Sequence, residues 1–420
     1  MPTFHHLQKY VRTHTEHNPV LFGASLMVFF FVIFDGILTY LAPIIIVEKG
    51  ISPSMMGIII GSSSVSGMIF DLLICRILPD AHYRRMFFIM FAVALVYPFV
   101  LFHSSGVVMY LIAMAIWGFY YDLYNLGTLD LVSRTTEAHA RAATFGVLRV
   151  FDGLGYLIAP VLASLILVAT DPSEYMSTAL WIFLAIAFAF YLGLISLHFK
   201  ERHVQVEIPK RTAFGLLTEL SLWRKIGHIL FPVLMLTFVL NIIDAVFWTI
   251  GPLFSEAIGV GSGIEGGAFM VAFALPPLLV GWVVGVLSNR TGKKRLAHIG
   301  LFIGSFFLVA MGFIETTAPL LLIVICFVSS FFISLSWPSV SGAYADYIAE
   351  TPGYEKEIAT LQDAFTNLGN IIGPIIAGFS AQYLGYGVTF TSLGILGIVV
   401  AIILFRITPR SITVSIQSAT

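Results

Sequence analysis

Charge is what this sequence has least of. Asp, Glu, Lys and Arg make up 11% of its 420 residues, against roughly 25% in an ordinary soluble domain. With 58% hydrophobic residues, that deficit excludes a soluble globular chain and a disordered one. A multi-span membrane protein remains. The net charge is −1, so no overall bias draws the chain to nucleic acid. Cysteine is nearly absent: Cys75 and Cys326 both lie in apolar runs, too few for a disulfide framework or a thiolate metal cluster. There is no His-Glu-x-x-His pattern and no histidine deep in an apolar run, which argues against a zinc-protease site. A phosphate-binding glycine loop is missing too, which argues against ATP-driven transport. Residues 1–20 are polar and His-rich and show no signal-peptide pattern. The first apolar run is too long for a signal core and is expected to remain as a span.

A bilayer core takes about 20 apolar residues per helix. Twelve runs reach that length, near 21–46, 53–78, 86–103, 106–130, 144–170, 176–198, 229–256, 264–288, 296–315, 318–346, 358–384 and 386–406. Helices are expected, because a lipid-exposed backbone must satisfy its own hydrogen bonds, and the alternation of a membrane barrel is absent. Lys and Arg set orientation. With the N-terminus inside, Lys9, Arg12, Arg76, Arg84, Arg85, Arg134, Arg141, Lys200, Arg202, Lys210, Arg211, Arg224, Lys225, Arg290, Lys293, Lys294, Arg295, Lys356, Arg406 and Arg410 fall on the cytoplasmic side. The other side holds Lys49, and Arg149 lies within a span. Both termini are therefore expected in the cytoplasm of a multi-pass plasma or inner-membrane protein. Residues 199–228 form the longest non-membrane piece. In it Phe214, Leu216, Leu217, Leu220 and Trp223 recur at helical spacing. They form either an interfacial amphipathic helix or an ordinary linker with an apolar face.

The sequence repeats itself. Asp35 and Pro43 in span 1 match Asp244 and Pro252 in span 7, at an offset of 209. Gly155 and Pro160 in span 5 match Gly369 and Pro374 in span 11, at an offset of 214. Asp130 ending span 4 matches Asp346 ending span 10. The expected organisation is a six-helix half over 1–198, the linker 199–228, and a second six-helix half over 229–420.

Between spans 8 and 9 stands Gly285-Val-Leu-Ser-Asn289-Arg290-Thr-Gly292-Lys293-Lys294-Arg295. It resembles the Gly-x-Leu-x-Asp-Arg-x-Gly-Arg/Lys-Arg/Lys loop of the major facilitator superfamily, with Asn289 in place of the usual aspartate. The equivalent loop between spans 2 and 3 keeps Asp80, Arg84 and Arg85 but neither glycine. The resemblance implies an all-α membrane protein of twelve transmembrane helices in two pseudo-symmetric halves, working by alternating access. It also implies that the basic loops pair with Asp130 and Asp346 as a cytoplasmic gate. The alternative is that these loops fix topology alone. Gly155-x-x-x-Ala159-Pro160-x-x-Ala163-Ser164 resembles the span-5 motif of the family's antiporters, with Ala and Ser replacing three glycines. The arginine expected in mid-span 4 of such antiporters is replaced by Met114.

An ionised group at mid-membrane costs at least ~2.5–3.5 kcal/mol. Asp35 and Asp244 each lie about 21 Å into their spans, near the midplane. They are expected to face a shared cavity; the plainer alternative is that each only fixes helix packing. A carboxyl that can be neutral or charged can carry a proton or a cationic substrate, and competition between the two suffices for antiport. Asp122, Arg149 and Asp152 fall at similar depth, with Arg149 and Asp152 on one helical face, and a network or a plain structural ion pair would both fit. Asp363 aligns with Arg149 in the repeat and is a candidate gate acid; Asp71 reads as a helix-end contact. The aromatics Tyr40, Tyr121, Tyr124, Phe247, Trp248 and Trp337 are candidate cavity residues, since aromatic faces suit a lipophilic cation.

The expected function is proton-coupled efflux of a lipophilic or cationic small molecule by a secondary transporter. The expected partners are that molecule and lipid, with no cofactor, metal, enzymatic activity or nucleic acid, and a single chain as the working unit. Proton-coupled uptake of a neutral nutrient such as a sugar is the alternative, weakened by the few deep amides, Asn125, Asn241, Asn367 and Asn370. A transport-dead membrane sensor is a remote one.

Overall fold

The computed structural model describes residues 19–77, 82–137, 140–167, 172–196, 216–258, 264–314, 318–350 and 354–408. Lys9, Arg12, Asp80, Lys200, Arg202, Lys210, Arg211, Phe214 and Arg410 lie outside them, and of Asp71, Arg76, Arg224, Lys225, Asn289 and Lys356 only the backbone is described. Among the described residues every regular element is a helix. The first six are α1 (Pro19–Glu48), α2 (Pro53–Ile77), α3 (Tyr83–His103), α4 (Val107–Thr135), α5 (Arg141–Leu167) and α6 (Pro172–Ser196). The others are α7 (Leu216–Ile258), α8 (Ile264–Thr291), α9 (Lys293–Met311), α10 (Pro319–Ser334), α11 (Ser336–Glu350), α12 (Glu355–Leu384) and α13 (Tyr386–Ile407).

Ten stretches of the described residues are long and apolar enough to cross a membrane, with Gly267–Gly281 in α8 a shorter one. The apolar run of α12 is diluted by Asp363, Asn367 and Asn370. Span 10 is divided between α10 and α11 at Leu335. Pro338 explains the division, because it has no N–H to offer the carbonyl of Ser334 one turn back. The described part of the linker does not form a helix of its own: from Leu216 it is continuous with span 7 in one 43-residue helix. Prolines open α1, α2, α6 and α10, where the missing N–H would have had no partner. Single glycines at 292 and 385 join α8 to α9 and α12 to α13, with φ of +83° and +81°. A side chain would strain that conformation.

The chain forms two compact units. One comprises residues 1–52, 62–206 and 255–274, the other 53–61, 207–254 and 275–420. In the first, α1 packs against α5 and α6, and α3 against α4. Every residue of α1 from Phe31 to Leu38 is buried, so its apolar character extends all round. In the second, α9 packs against α10, α11 and α13.

The repeat is visible at close approach. In the first unit a Cβ on Gly36 would stand 2.7 Å from the Cβ of Ala159, and one on Gly155 would meet Val32. In the second a Cβ on Gly373 would stand 2.7 Å from the Cβ of Ala245, and one on Gly369 would meet Asn241. These four contacts are repeat equivalents at the offsets found in the sequence. In one pair the glycine has changed sides: Gly36 with Ala159 becomes Ala245 with Gly373.

Candidate functional site

Asp35 is the centre of the first unit. It is 0% exposed, in the middle of α1. Its Oδ1 accepts hydrogen bonds from Trp117 Nε1 at 2.8 Å and the Tyr120 hydroxyl at 2.6 Å. Its Oδ2 accepts one from the Tyr156 hydroxyl at 2.9 Å. The burial cost of the carboxyl is thus offset by three neutral donors from α4 and α5. Gly36 makes this possible locally, since a Cβ there would also press on the Tyr156 ring at 3.2 Å.

A second polar group lies beside the first. On α5, Arg149, Asp152 and Tyr156 are spaced three and four residues apart, on one face. Asp152 accepts a hydrogen bond from Tyr124 at 2.9 Å and pairs loosely with Arg149 at 3.5 Å. The Arg149 side chain is 76% exposed against 14% for Asp152. An exposed guanidinium inside a span faces water more readily than lipid. The Tyr121 ring stacks on Trp117 with centroids 5.7 Å apart. Trp117, Tyr120, Tyr121 and Tyr124 form a polar aromatic stripe along α4. Asp122 is placed elsewhere: its carboxyl lies against Gly67 of α2, where a Cβ would be 2.7 Å from Oδ2.

In the second unit Asp244 is partly buried, and Trp248 stands one turn on along α7. Phe247 is packed inside against Phe390, with rings 5.0 Å apart, and offers no face to a cavity. Trp337 is half-buried at the start of α11. Tyr40, on α1, donates to Glu256 at 3.2 Å.

At the basic loops, Lys293 reaches Asp346 at 2.8 Å, its stem lying over Gly342. Asp130 is used differently. It accepts the Tyr83 N–H at the start of α3 and pairs with Arg134 of its own helix, both at 2.8 Å. Arg84 leans on the Tyr83 ring, while Arg85 and Arg290 are exposed. Gly292 makes the turn, but open space surrounds Gly285, so no close approach depends on it. Asp363 is exposed, near Tyr344.

The sequence singles out Asp35, Asp152, Tyr121 and Tyr124 as candidate site residues, but not Trp117 or Tyr120. It missed Tyr156 and Glu256 as partners. The signal for Tyr156 was a phenol one turn beyond Asp152 in an otherwise apolar helix, where a hydroxyl needs a partner.

Residues 24–360 match the family model described as Major Facilitator Superfamily. The chain is 30% identical to the quinolone resistance protein NorA of Staphylococcus aureus over 172 residues, 40% of this chain. It therefore spans less than half the length of that relative, 42%. It is also 30% identical over 151 residues to an uncharacterized MFS-type transporter of Methanocaldococcus jannaschii, 36% of this chain and 38% of that protein. Among solved structures, the nucleoside transporter NupG is similar with a TM-score of 0.70 at 13% identity, covering 93% of this chain and 99% of its own. A peptide transporter, POT, in complex with sulfate gives 0.68 at 15% identity, covering 93% and 94%. At those identities the likeness is one of fold.

Proposed function

The chain belongs to the major facilitator superfamily, a family of membrane transporters rather than enzymes, and on that premise we propose that it is a secondary transporter exporting a lipophilic cation in exchange for protons. The setting of Asp35 carries the reading: a carboxyl with no solvent exposure, held in mid-span by one indole and two phenols. Those partners are neutral and suit both protonation states. As an anion the carboxyl accepts three bonds. As an acid it can donate from Oδ2 back to the Tyr156 oxygen, because a phenol both donates and accepts. Asp152 adds a second carboxyl, and the stacked Trp117 and Tyr121 offer aromatic faces to a cation. A proton and a cation competing for this charge would couple their opposed movements through alternating access. The similarity to staphylococcal quinolone resistance proteins supports a drug-like cargo. The basic loops support a cytoplasmic placement of both termini.

The test uses purified protein in liposomes holding a pH-reporting dye, under an imposed proton gradient. Tetraphenylphosphonium is added first, then a pool of sugars. The expected result is proton movement dependent on the cation and lost in Asp35→Asn. Movement with sugars alone would transfer the protein to nutrient uptake. Movement unaffected by Asp35→Asn would remove Asp35 from the coupling site.

A further inference from the structure

Arg149 is a deep charge that the fold leaves largely unsatisfied. An arginine within a span is costly unless it meets water or a partner, and its guanidinium offers five N–H donors in a planar fork. Among the described residues it makes one polar contact, from Nη1 to Asp152 Oδ2 at 3.5 Å, well beyond the ~2.7–2.9 Å of a charge-assisted bond. The reason is visible at Asp152. Its Oδ1 accepts the Tyr124 hydroxyl at 2.9 Å, so the carboxylate does not present both oxygens to the fork. Arg149 stays 76% exposed beside an acid it does not clasp. An arginine kept only to neutralise Asp152 would be expected to close on it. The exposed side also has a direction. Asp152 and Tyr156 share it and bond to Tyr124 and Asp35. Val150, Ile158, Val161 and Leu165, the exposed large apolar residues of α5, fall on another side.

We propose that Arg149 is a carboxylate-binding subsite, so that the cargo is amphoteric: an aromatic molecule carrying a carboxylate as well as a cationic centre. The inference rests on the cation site proposed above and narrows what that site takes. A cargo with positive charge alone gains nothing from Arg149 and is repelled by it. A carboxylate supplies the planar, two-bonded partner that Asp152 does not. Seven residues separate Arg149 from Tyr156, about 10 Å along the helix, and Tyr156 meets Asp35 at 2.9 Å. The two charges of the cargo therefore find their partners along one face of α5, the cation toward Asp35 and the Trp117–Tyr121 stack, the carboxylate toward Arg149. Acid and guanidinium each receive an opposite charge, which neither a bare cation nor a bare anion provides.

The test uses two dyes that differ at one group. Rhodamine B has a free carboxylate beside its fused aromatic cation; its ethyl ester keeps the cation and loses the anion. Dissociation constants of both are measured by fluorescence anisotropy, against protein-free micelles, for the purified wild-type protein, Arg149→Gln and Arg149→Lys. Wild type is expected to bind rhodamine B more tightly than the ester. Arg149→Gln should weaken rhodamine B about tenfold or more, the share of a hydrogen bond to a charged group. The same change should tighten the ester about twofold, because a unit charge ~10 Å away across water no longer repels it. Arg149→Lys, which keeps the charge but not the fork, should recover part of the affinity for rhodamine B. Shifts of opposite sign are what a damaged fold cannot produce. A parallel fall of both dyes in Arg149→Gln would make Arg149 a structural partner of Asp152 and overturn the proposal. So would rhodamine B binding that ignores the substitution, or a wild-type protein that binds the ester and not rhodamine B. Asp35→Asn is the separate check on the coupling site: proton movement surviving that change would remove Asp35 from it, while opposed dye shifts at Arg149 would still assign the carboxylate subsite.

Discussion

Asp35 and Asp244 hold equivalent places in the two halves of the sequence, but their surroundings are unlike. Asp35 is enclosed and receives three donors from two other helices. Asp244 is partly buried, with Trp248 of its own helix one turn on. The positions that repeat Trp117, Tyr120 and Tyr156 carry Ile333, Ser336 and Asn370. The donors of the first half therefore have no counterparts with indole or phenol groups in the second. Backbone approach is nonetheless kept in both, through Gly36 with Ala159 and Ala245 with Gly373. Helix packing and site chemistry have thus diverged at different rates: close contact requires only one small residue at each crossing, whereas enclosing an acid requires several specific donors at once.

The comparison can be broken most forcefully at the acids. Asp35→Asn is expected to lower proton-coupled transport by about a hundredfold or more, in the range of a lost proton-transfer group. Asp244→Asn should lower it less, and equal losses in the liposome assay would mean that the enclosure of Asp35 does not matter. Removal of donors comes next. Trp117→Phe leaves a buried carboxyl oxygen one bond short and should cost about 1–3 kcal/mol, read as a lower midpoint of thermal unfolding in detergent. Trp248→Phe should cost less, because Asp244 is less enclosed than Asp35. Gly36→Ala and Gly373→Ala probe the shared scaffold. Each adds a methyl where a Cβ already stands at 2.7 Å, and each should cost about 1–3 kcal/mol by overpacking. Only Gly36→Ala should also disturb transport, because Tyr156 lies beside it. The smallest effect is expected at Lys293→Ala. Its pair with Asp346 is about half exposed on both sides, so thermal stability should change by about 0–1 kcal/mol.

The helices were legible because hydrophobic runs of bilayer length leave few other structures open. The repeat was legible because aspartate and proline are rare enough in apolar sequence for their spacing to register. The division of span 10 was readable in principle from Pro338. The partners of Asp35 were harder. Tyr156 is 121 residues from Asp35 in sequence, and no periodicity within one helix shows which face of another will meet it. The distribution of the loop charges was misleading for a related reason. The basic loops are expected to pair with Asp130 as well as Asp346, but Arg134 on its own helix lies within one turn of Asp130 and needs no loop to be ordered. Lys293 could reach Asp346 because Gly342 leaves room for its stem, a detail that depends on which way two helices face.

The single-glycine joint at Gly292 has a mechanical consequence. A loop of several residues between two helices is slack: one helix can shift while the other stays. One residue between Thr291 and Lys293 leaves no slack, so α8 and α9 behave as arms of a single bent lever whose elbow is that glycine. Lys293, the first residue of the second arm, is held to Asp346. An inserted residue beside Gly292 would therefore be expected to uncouple the two arms without altering either helix.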